Sequence, residues 1–289
     1  MPRSRNRSKR RRDRQQARRD PAWTLGIWDL HLPVLAVKRG ADGSVHSPRP
    51  IVYGTAFPIA EGLFVTAGHV VRDAQSDGEL ALSVVVPGQG LRPFRAGLIE
   101  MFDPLDLALI TCKRLAHLPA LRPEFDRPLG LLAPVSAVGF PLSIDAEYVS
   151  VTPRAFGGFV VARRDLRQLP SQPTGYEVSF FAPQGLSGAP LVSTAHGAPR
   201  CYGYMIQQGT LGLGEDVTPV GIAVGIEVLL TIQYDGRPLA PVFGRDPVAA
   251  RAPVAPVLPG GLALVIDAGV DGWPDDAPSD ASTGTETSE

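Results

Sequence analysis

The sequence predicts an all-β fold, a barrel or sandwich of many short strands, and three observations predict it. Apolar runs of four to eight residues recur along the chain, rich in Val, Ile, Thr, Phe and Tyr, the composition that suits a pleated, half-buried surface. Turn residues separate them: Gly and Pro number 31 and 29 of 289 residues, above the usual shares of about 7% and 5%. Helical periodicity is nearly absent.

In chain order the expected strands include Val34–Val37, Gly62–Thr66, Leu80–Val86, Leu107–Thr111, Tyr148–Val151, Gly158–Ala162, Gly175–Phe181, Leu191–Ser193, Gly203–Gln207 and Val220–Ile226. Short helices are expected after His69, in HVVRDA, and near Glu227–Ile232. The Pro-rich stretch His117–Pro134 reads as a crossing between two halves. The expected organisation is a disordered basic arm over 1–21, a globular part over 22–235 with halves near 22–120 and 130–235, and a largely disordered, Pro, Ala and Gly-rich to acidic tail over 236–289.

Charge is segregated. Residues 1–20 hold ten Lys or Arg against Asp13 and Asp20, leaving 18 basic and 27 acidic residues in the remainder. Residues 267–289 carry seven acidic residues and no basic ones. Segments this polar and self-repelling cannot bury enough apolar surface to fold alone. The basic arm is either a solubilising tail or a contact for an anionic partner such as nucleic acid, held through phosphates. The run Gly261–Ile266 is apolar enough to dock as a strand.

Several function classes fall away. No stretch approaches the ~18 apolar residues of a membrane span. The basic arm is too long for a secretory leader, and the segment Trp23–Val37 is interrupted by Asp29, His31 and Pro33. A soluble, cytoplasmic protein of bacterial style is expected. The two cysteines, Cys112 and Cys201, lie in or beside apolar runs. They read best as reduced packing residues, with one bridge between them as the alternative. No metal or cofactor is implied, since neither His-Glu-x-x-His, nor Cys-x-x-Cys, nor a phosphate-binding Gly-rich loop followed by Lys occurs.

Three segments carry chemistry together. Phe64-Val-Thr-Ala-Gly-His69 ends an apolar strand in small residues and delivers an imidazole. Asp103-Pro-Leu-Asp106-Leu-Ala-Leu-Ile110 places a carboxylate at the head of a buried strand. Gln184-Gly185-Leu-Ser187-Gly188-Ala-Pro190 holds a hydroxyl in a glycine-flanked turn. A Ser hydroxyl is a weak nucleophile at neutral pH and needs an adjacent base. Imidazole is the natural base, and a carboxylate on its far nitrogen fixes the tautomer. Backbone N–H groups of Gly185 and Ser187 are the expected donors to an oxyanion, and glycine at 185 is expected to let the substrate carbonyl approach.

These segments resemble the His, Asp and Ser motifs of the chymotrypsin/trypsin family, in that family's order. Val138-Gly-Phe-Pro141, Gly203-Tyr-Met-Ile206 and Val220-Gly-Ile-Ala-Val224 are similar to barrel segments of its bacterial, HtrA-like branch. The likeness spans about residues 30–235. It implies two packed antiparallel six-stranded β-barrels and a serine endopeptidase with His69, Asp106 and Ser187 as triad. It also implies Phe181 on the floor of the pocket for the residue before the scissile bond, and Ile206, Gln207 and Gln208 paired with an extended peptide substrate. Asp106 is preferred over Asp103 and Asp73 because it directly precedes Leu-Ala-Leu-Ile.

Two residues depart from the family pattern: Leu186 stands where Asp or Asn is usual, and Ala189 where Gly is more frequent. Leu186 implies that no freshly cleaved N-terminus is captured there. A catalytically silent fold used as a protein-binding module is the second reading. An α/β-hydrolase is set aside, because its elbow needs Gly at 189 and an acid and then a His after the serine.

Overall fold

The computed structural model describes residues 30–39, 45–46, 51–86, 90–141, 152–169, 171–211, 218–234 and 236–249. The basic arm with its anionic partner, residues 250–289 of the C-terminal segment with Gly261–Ile266, and the expected strand Tyr148–Val151 lie outside them.

The first half contributes β1 (Leu32–Arg39), β2 (Val45–His46), β3 (Val52–Ala60), β4 (Leu63–Ala67), helix α1 (Gly68–Asp77), β5 (Glu79–Val86), β6 (Gly90–Arg95), β7 (Gly97–Phe102) and β8 (Leu107–Thr111). The strands pair in the order β6-β5-β1-β3-β4-β8-β7, with β2 a short addition to β1. This sheet is curled into a half-barrel whose hydrogen-bonded path stays open between β6 and β7.

The second half contributes β9 (Pro134–Gly139), β10 (Arg154–Asp165), β11 (Thr174–Val178), β12 (Pro190–Ser193), β13 (Arg200–Leu211) and β14 (Thr218–Gly225). These six close completely, in the order β10-β11-β14-β13-β12-β9 and back to β10, with every pairing antiparallel. The mostly-β, chymotrypsin-like architecture expected from the sequence is therefore present. The Pro-rich crossing joins the halves and touches the second at a bridge between Pro123 and Cys201.

The continuous apolar runs of β4 and β8 have a physical cause: both faces are buried. Alternate residues point to opposite sides of a strand. Phe64, Ala108 and Ile110 fill the interior of the first sheet with Val70, Val71 and Leu82. Leu63, Val65, Leu107 and Leu109 face the other way and pack with Tyr204, Val224, Ile226 and Leu229 of the second half. One apolar layer thus joins the two halves, and the Asp106 turn sits at its edge between Leu105 and Leu107, both buried.

The turn that carries Ser187 is anchored from below. Leu186 and Ala189 are fully buried in the second barrel with Val135, Val178, Leu191 and Met205. The departure at 186 is thereby explained: an apolar side chain holds the turn where a charged one would need a partner. α1 runs ten residues and buries Val70, Val71 and Ala74. The helix expected near Glu227–Ile232 is a five-residue 3-10 turn, Ile226–Leu230.

Cys112 and Cys201 are both buried and unbridged. Burial pushes the Cys201 thiol up to about 12 and raises that of Cys112. Since only the thiolate attacks a disulfide reagent, both should resist modification in the folded protein. A native-state rate ~100-fold or more below that of free cysteine is expected, with both thiols titrating fully in denaturant; fast native labelling of either would contradict this packing.

Candidate active site

Asp106 reaches its position through an unusual backbone. The 3-10 turn Asp103–Leu105 ends on Asp106 in the left-handed region, at φ 46°, which Asp tolerates better than most residues. From there its carboxylate grips residue 69 twice. Oδ1 accepts the His69 backbone N–H at 2.8 Å, and Oδ2 lies 2.6 Å from His69 Nδ1. The Gly68 N–H donates to the Asp106 carbonyl at 2.9 Å. A β-carbon at 68 would lie 3.1 Å from Oδ1, so the glycine before His69 permits the close approach.

The pair is partly open to solvent. His69 is 34% exposed and Asp106 27%, so the carboxylate is half-buried rather than buried. Arg72, one turn along α1, ion-pairs with Asp103 at 2.5 Å and lies 3.6 Å from Asp106 Oδ1. Asp103 therefore serves Arg72, while Asp106 serves His69.

Ser187 arrives from the other half. Its Oγ donates to the Ile206 carbonyl at a long 3.4 Å. Its own carbonyl accepts the Thr55 N–H at 2.8 Å. Ser187 and Val70, the residue after His69, both lie against Gly54: a β-carbon there would lie 2.8 Å from the Ser187 carbonyl oxygen and 2.4 Å from Val70 Cγ2. Gly188 continues the contact, since a β-carbon on it would lie 2.2 Å from Thr55 O and 2.8 Å from Ala67 N.

Gly185 and Gly188 have φ of +93° and +80°, values that L side chains rarely adopt. At 185 the missing side chain faces the Phe140 carbonyl, 2.3 Å from an ideal β-carbon. That close approach, within the protein itself, is what demands glycine there. Gly188→Ala combines positive φ with a clash against backbone, and a loss of ~3 kcal/mol or more in folding stability is expected. A urea titration checks it; a midpoint within error of the parent would contradict the packing described.

The backbone donors of the turn divide into two sets. Leu186 N–H, Gly188 N–H and Ala189 N–H donate to Pro183, Met205 and Leu186 carbonyls. The N–H groups of Gly185 and Ser187 have no hydrogen-bonded acceptor among the described residues.

Beside the turn, β12 pairs with β13 only as far as Pro190 opposite Tyr204. Beyond it Ile206 is a bulge, while Gln207 and Gln208 pair on their other edge with Ile222 and Gly221 of β14. Among the described residues, no strand pairs with the edge of β13 facing Ser187 at 207–208, and at 206 the carbonyl meets only the Ser187 hydroxyl. Phe181 is 47% exposed, whereas its neighbour Phe180 is the ring packed into the barrel.

The trypsin-like peptidase domain model matches residues 54–198, a span that contains His69, Asp106 and Ser187. The chain belongs to this family. As a trypsin-like peptidase domain it is also similar to a solved structure, the serine endoprotease from Yersinia pestis, at 18% identity and a TM-score of 0.49. The likeness covers 74% of this chain and 62% of that one, so this peptidase domain spans less than two thirds of that protein's length. No curated protein matches the sequence.

Two residues of the site carried no sequence signal. Thr55 is an ordinary β-branched residue within β3, yet it is fully buried and its Oγ donates to the Gly185 carbonyl at 2.8 Å. Tyr204, also fully buried, donates its hydroxyl to the Leu105 carbonyl at 2.7 Å. Burial, reinforced by the carboxylates of Asp106 and Glu227, raises the Tyr204 phenol well above its ordinary value, so it remains a donor. Among the described residues, no cluster of His, Cys, Asp and Glu could hold a metal ion, and no helix is long and apolar enough to cross a membrane.

Proposed function

We propose that the chain is a serine endopeptidase that hydrolyses peptide bonds through an acyl-enzyme, with His69, Asp106 and Ser187 as its triad. The observation that carries the reading is the grip of Asp106 on His69, one oxygen on its backbone N–H and the other on its ring Nδ1. With Oδ2 of Asp106 on Nδ1, the ring keeps its proton there and leaves the Nε2 lone pair free for a hydroxyl proton. Ser187 is the hydroxyl whose turn packs against Gly54, Thr55 and Ala67.

The mechanism follows from these groups. An extended peptide adds to the open edge of β13 at 206–208 and presents a carbonyl to Ser187 Oγ. The hydroxyl proton passes to His69 Nε2 as the C–O bond forms, and Asp106 stabilises the resulting imidazolium. The N–H groups of Gly185 and Ser187, free of internal acceptors, take the developing oxyanion. His69 returns the proton to the leaving amine, and water repeats the sequence on the ester.

An activated ester tests the acyl-enzyme directly. Mixing excess p-nitrophenyl ester with the protein should release a burst of chromophore near one equivalent per chain before the steady state. A folded protein that gives neither a burst nor turnover would instead favour the binding-module reading.

A further inference from the structure

We propose that Thr55 and Tyr204 are positioning residues: a reciprocal pair of buried hydroxyls, each carried by one half of the molecule, that holds the triad segment of the other half in place. Thr55 lies on β3 of the first sheet and holds the Ser187 turn. Tyr204 lies on β13 of the second barrel and holds the Asp106 turn. The inference rests on the reading of Ser187, His69 and Asp106 as one catalytic unit, and extends it to what sets their spacing.

Thr55 holds two peptide planes at once. Its Oγ donates to the Gly185 carbonyl at 2.8 Å, and its N–H donates to the Ser187 carbonyl at 2.8 Å. The other ends of those planes are also bonded, Leu186 N–H to Pro183 and Gly188 N–H to Met205. Between them lies the plane that carries the Ser187 N–H, so its direction is set by its pinned neighbours. Thr55 is itself fixed: its Oγ accepts the Phe140 N–H at 3.3 Å, and its carbonyl accepts the Thr66 hydroxyl at 2.7 Å.

Tyr204 acts on the opposite member. Its hydroxyl holds the Leu105 carbonyl, on the peptide whose N–H belongs to Asp106 and donates to Asp103 at 3.0 Å. Asp106 then turns into its left-handed conformation and grips His69. A shift of that peptide moves the carboxylate, and with it the ring. Because each hydroxyl crosses from one half to the other, the two bonds together fix the offset between Ser187 and the His69–Asp106 pair. No apolar contact specifies an offset so narrowly, since packing is not directional.

Four variants test this: Thr55→Val, Thr55→Ser, Tyr204→Phe and, for comparison, Ser193→Ala. Ser193 is equally buried and its hydroxyl holds the Pro134 carbonyl at 2.6 Å within the second barrel alone. The measurements are ester kcat and KM, melting temperature, and the NMR resonance of the His69 Nδ1 proton. Thr55→Val and Tyr204→Phe should lower kcat about 10- to 100-fold with KM within about threefold, as expected of a small misplacement. Thr55→Ser should restore kcat to within about threefold, and Ser193→Ala should lower the melting temperature while kcat stays within about twofold.

Parent-like kcat in folded Thr55→Val and Tyr204→Phe would overturn the proposal. So would a loss in Ser193→Ala as large as theirs, because general destabilisation would then account for the effect. If the parent protein turned over no ester, the catalytic reading would fail separately, and the NMR signal would still decide the positioning. A downfield Nδ1 proton that weakens or shifts in Tyr204→Phe supports the role of Tyr204; one unchanged in position and exchange rate contradicts it.

Discussion

Ser187→Ala should lower kcat for a peptide or ester substrate by about 10⁵- to 10⁶-fold while leaving KM and the melting temperature nearly unchanged. The selectivity of the loss follows from where the hydroxyl sits. Ser187 is held by its backbone, through its carbonyl to Thr55, and by its neighbours Leu186 and Ala189 in the barrel core. Its Oγ makes one long bond, to the Ile206 carbonyl at 3.4 Å, so removing it costs the fold little. What disappears is the nucleophile. Any remaining rate would come from substrate binding and from the Gly185 and Ser187 N–H groups, which alanine retains. A Ser187→Ala protein with parent-like turnover would assign the activity to another group.

Asp106→Asn should lower kcat about 10⁴-fold, through geometry rather than charge alone. Oδ1 accepts a backbone N–H from His69, and a backbone N–H cannot become an acceptor. The asparagine must therefore keep its oxygen on that side. Its NH2 group then faces His69 Nδ1, at the position where Oδ2 now lies 2.6 Å away. A donor there forces the imidazole to accept at Nδ1 and carry its proton on Nε2. In that tautomer Nε2 cannot take a proton from Ser187. Steady-state kinetics test the magnitude, and the proton bound to Nε2 rather than Nδ1 in a nitrogen-edited NMR spectrum tests the cause. A loss under about tenfold would mean that the carboxylate does not set the tautomer.

The elements most readable from sequence are those whose cause is local. Leu-Ala-Leu-Ile-Thr is apolar on both faces, and β8 spans those residues, Leu107–Thr111. The short helix after His69 formed because Val70, Val71 and Ala74 share one buried face. The three chemistry-bearing segments were legible as well, since small residues beside His69 and Ser187 mark close backbone approaches. Gly54 carried the same cause with no motif to reveal it.

What stayed hidden depends on partners far along the chain. Thr55 and Gly185 are 130 residues apart, and Tyr204 and Leu105 are 99 apart. A hydroxyl inside a β-strand has no local mark that says whose carbonyl it will reach. Leu186 shows in sequence only as a departure from the family pattern; its place as an anchor in the barrel core depends on residues far along the chain. Gly185 has a further reason to be glycine that no local motif reveals, since the Phe140 carbonyl lies where a side chain would stand. The open path of the first sheet depends on whether β6 and β7 meet, which neither strand's own sequence encodes.

One measurement tests the central claim most directly: peptide mass mapping after the folded protein is treated with a fluorophosphonate, alongside His69→Ala treated identically. The account predicts a single phosphonyl group per chain, on the peptide containing Ser187, and its absence from the His69→Ala protein. A native protein that takes up no label, or takes it up on another residue, or labels Ser187 equally well without His69, would contradict it.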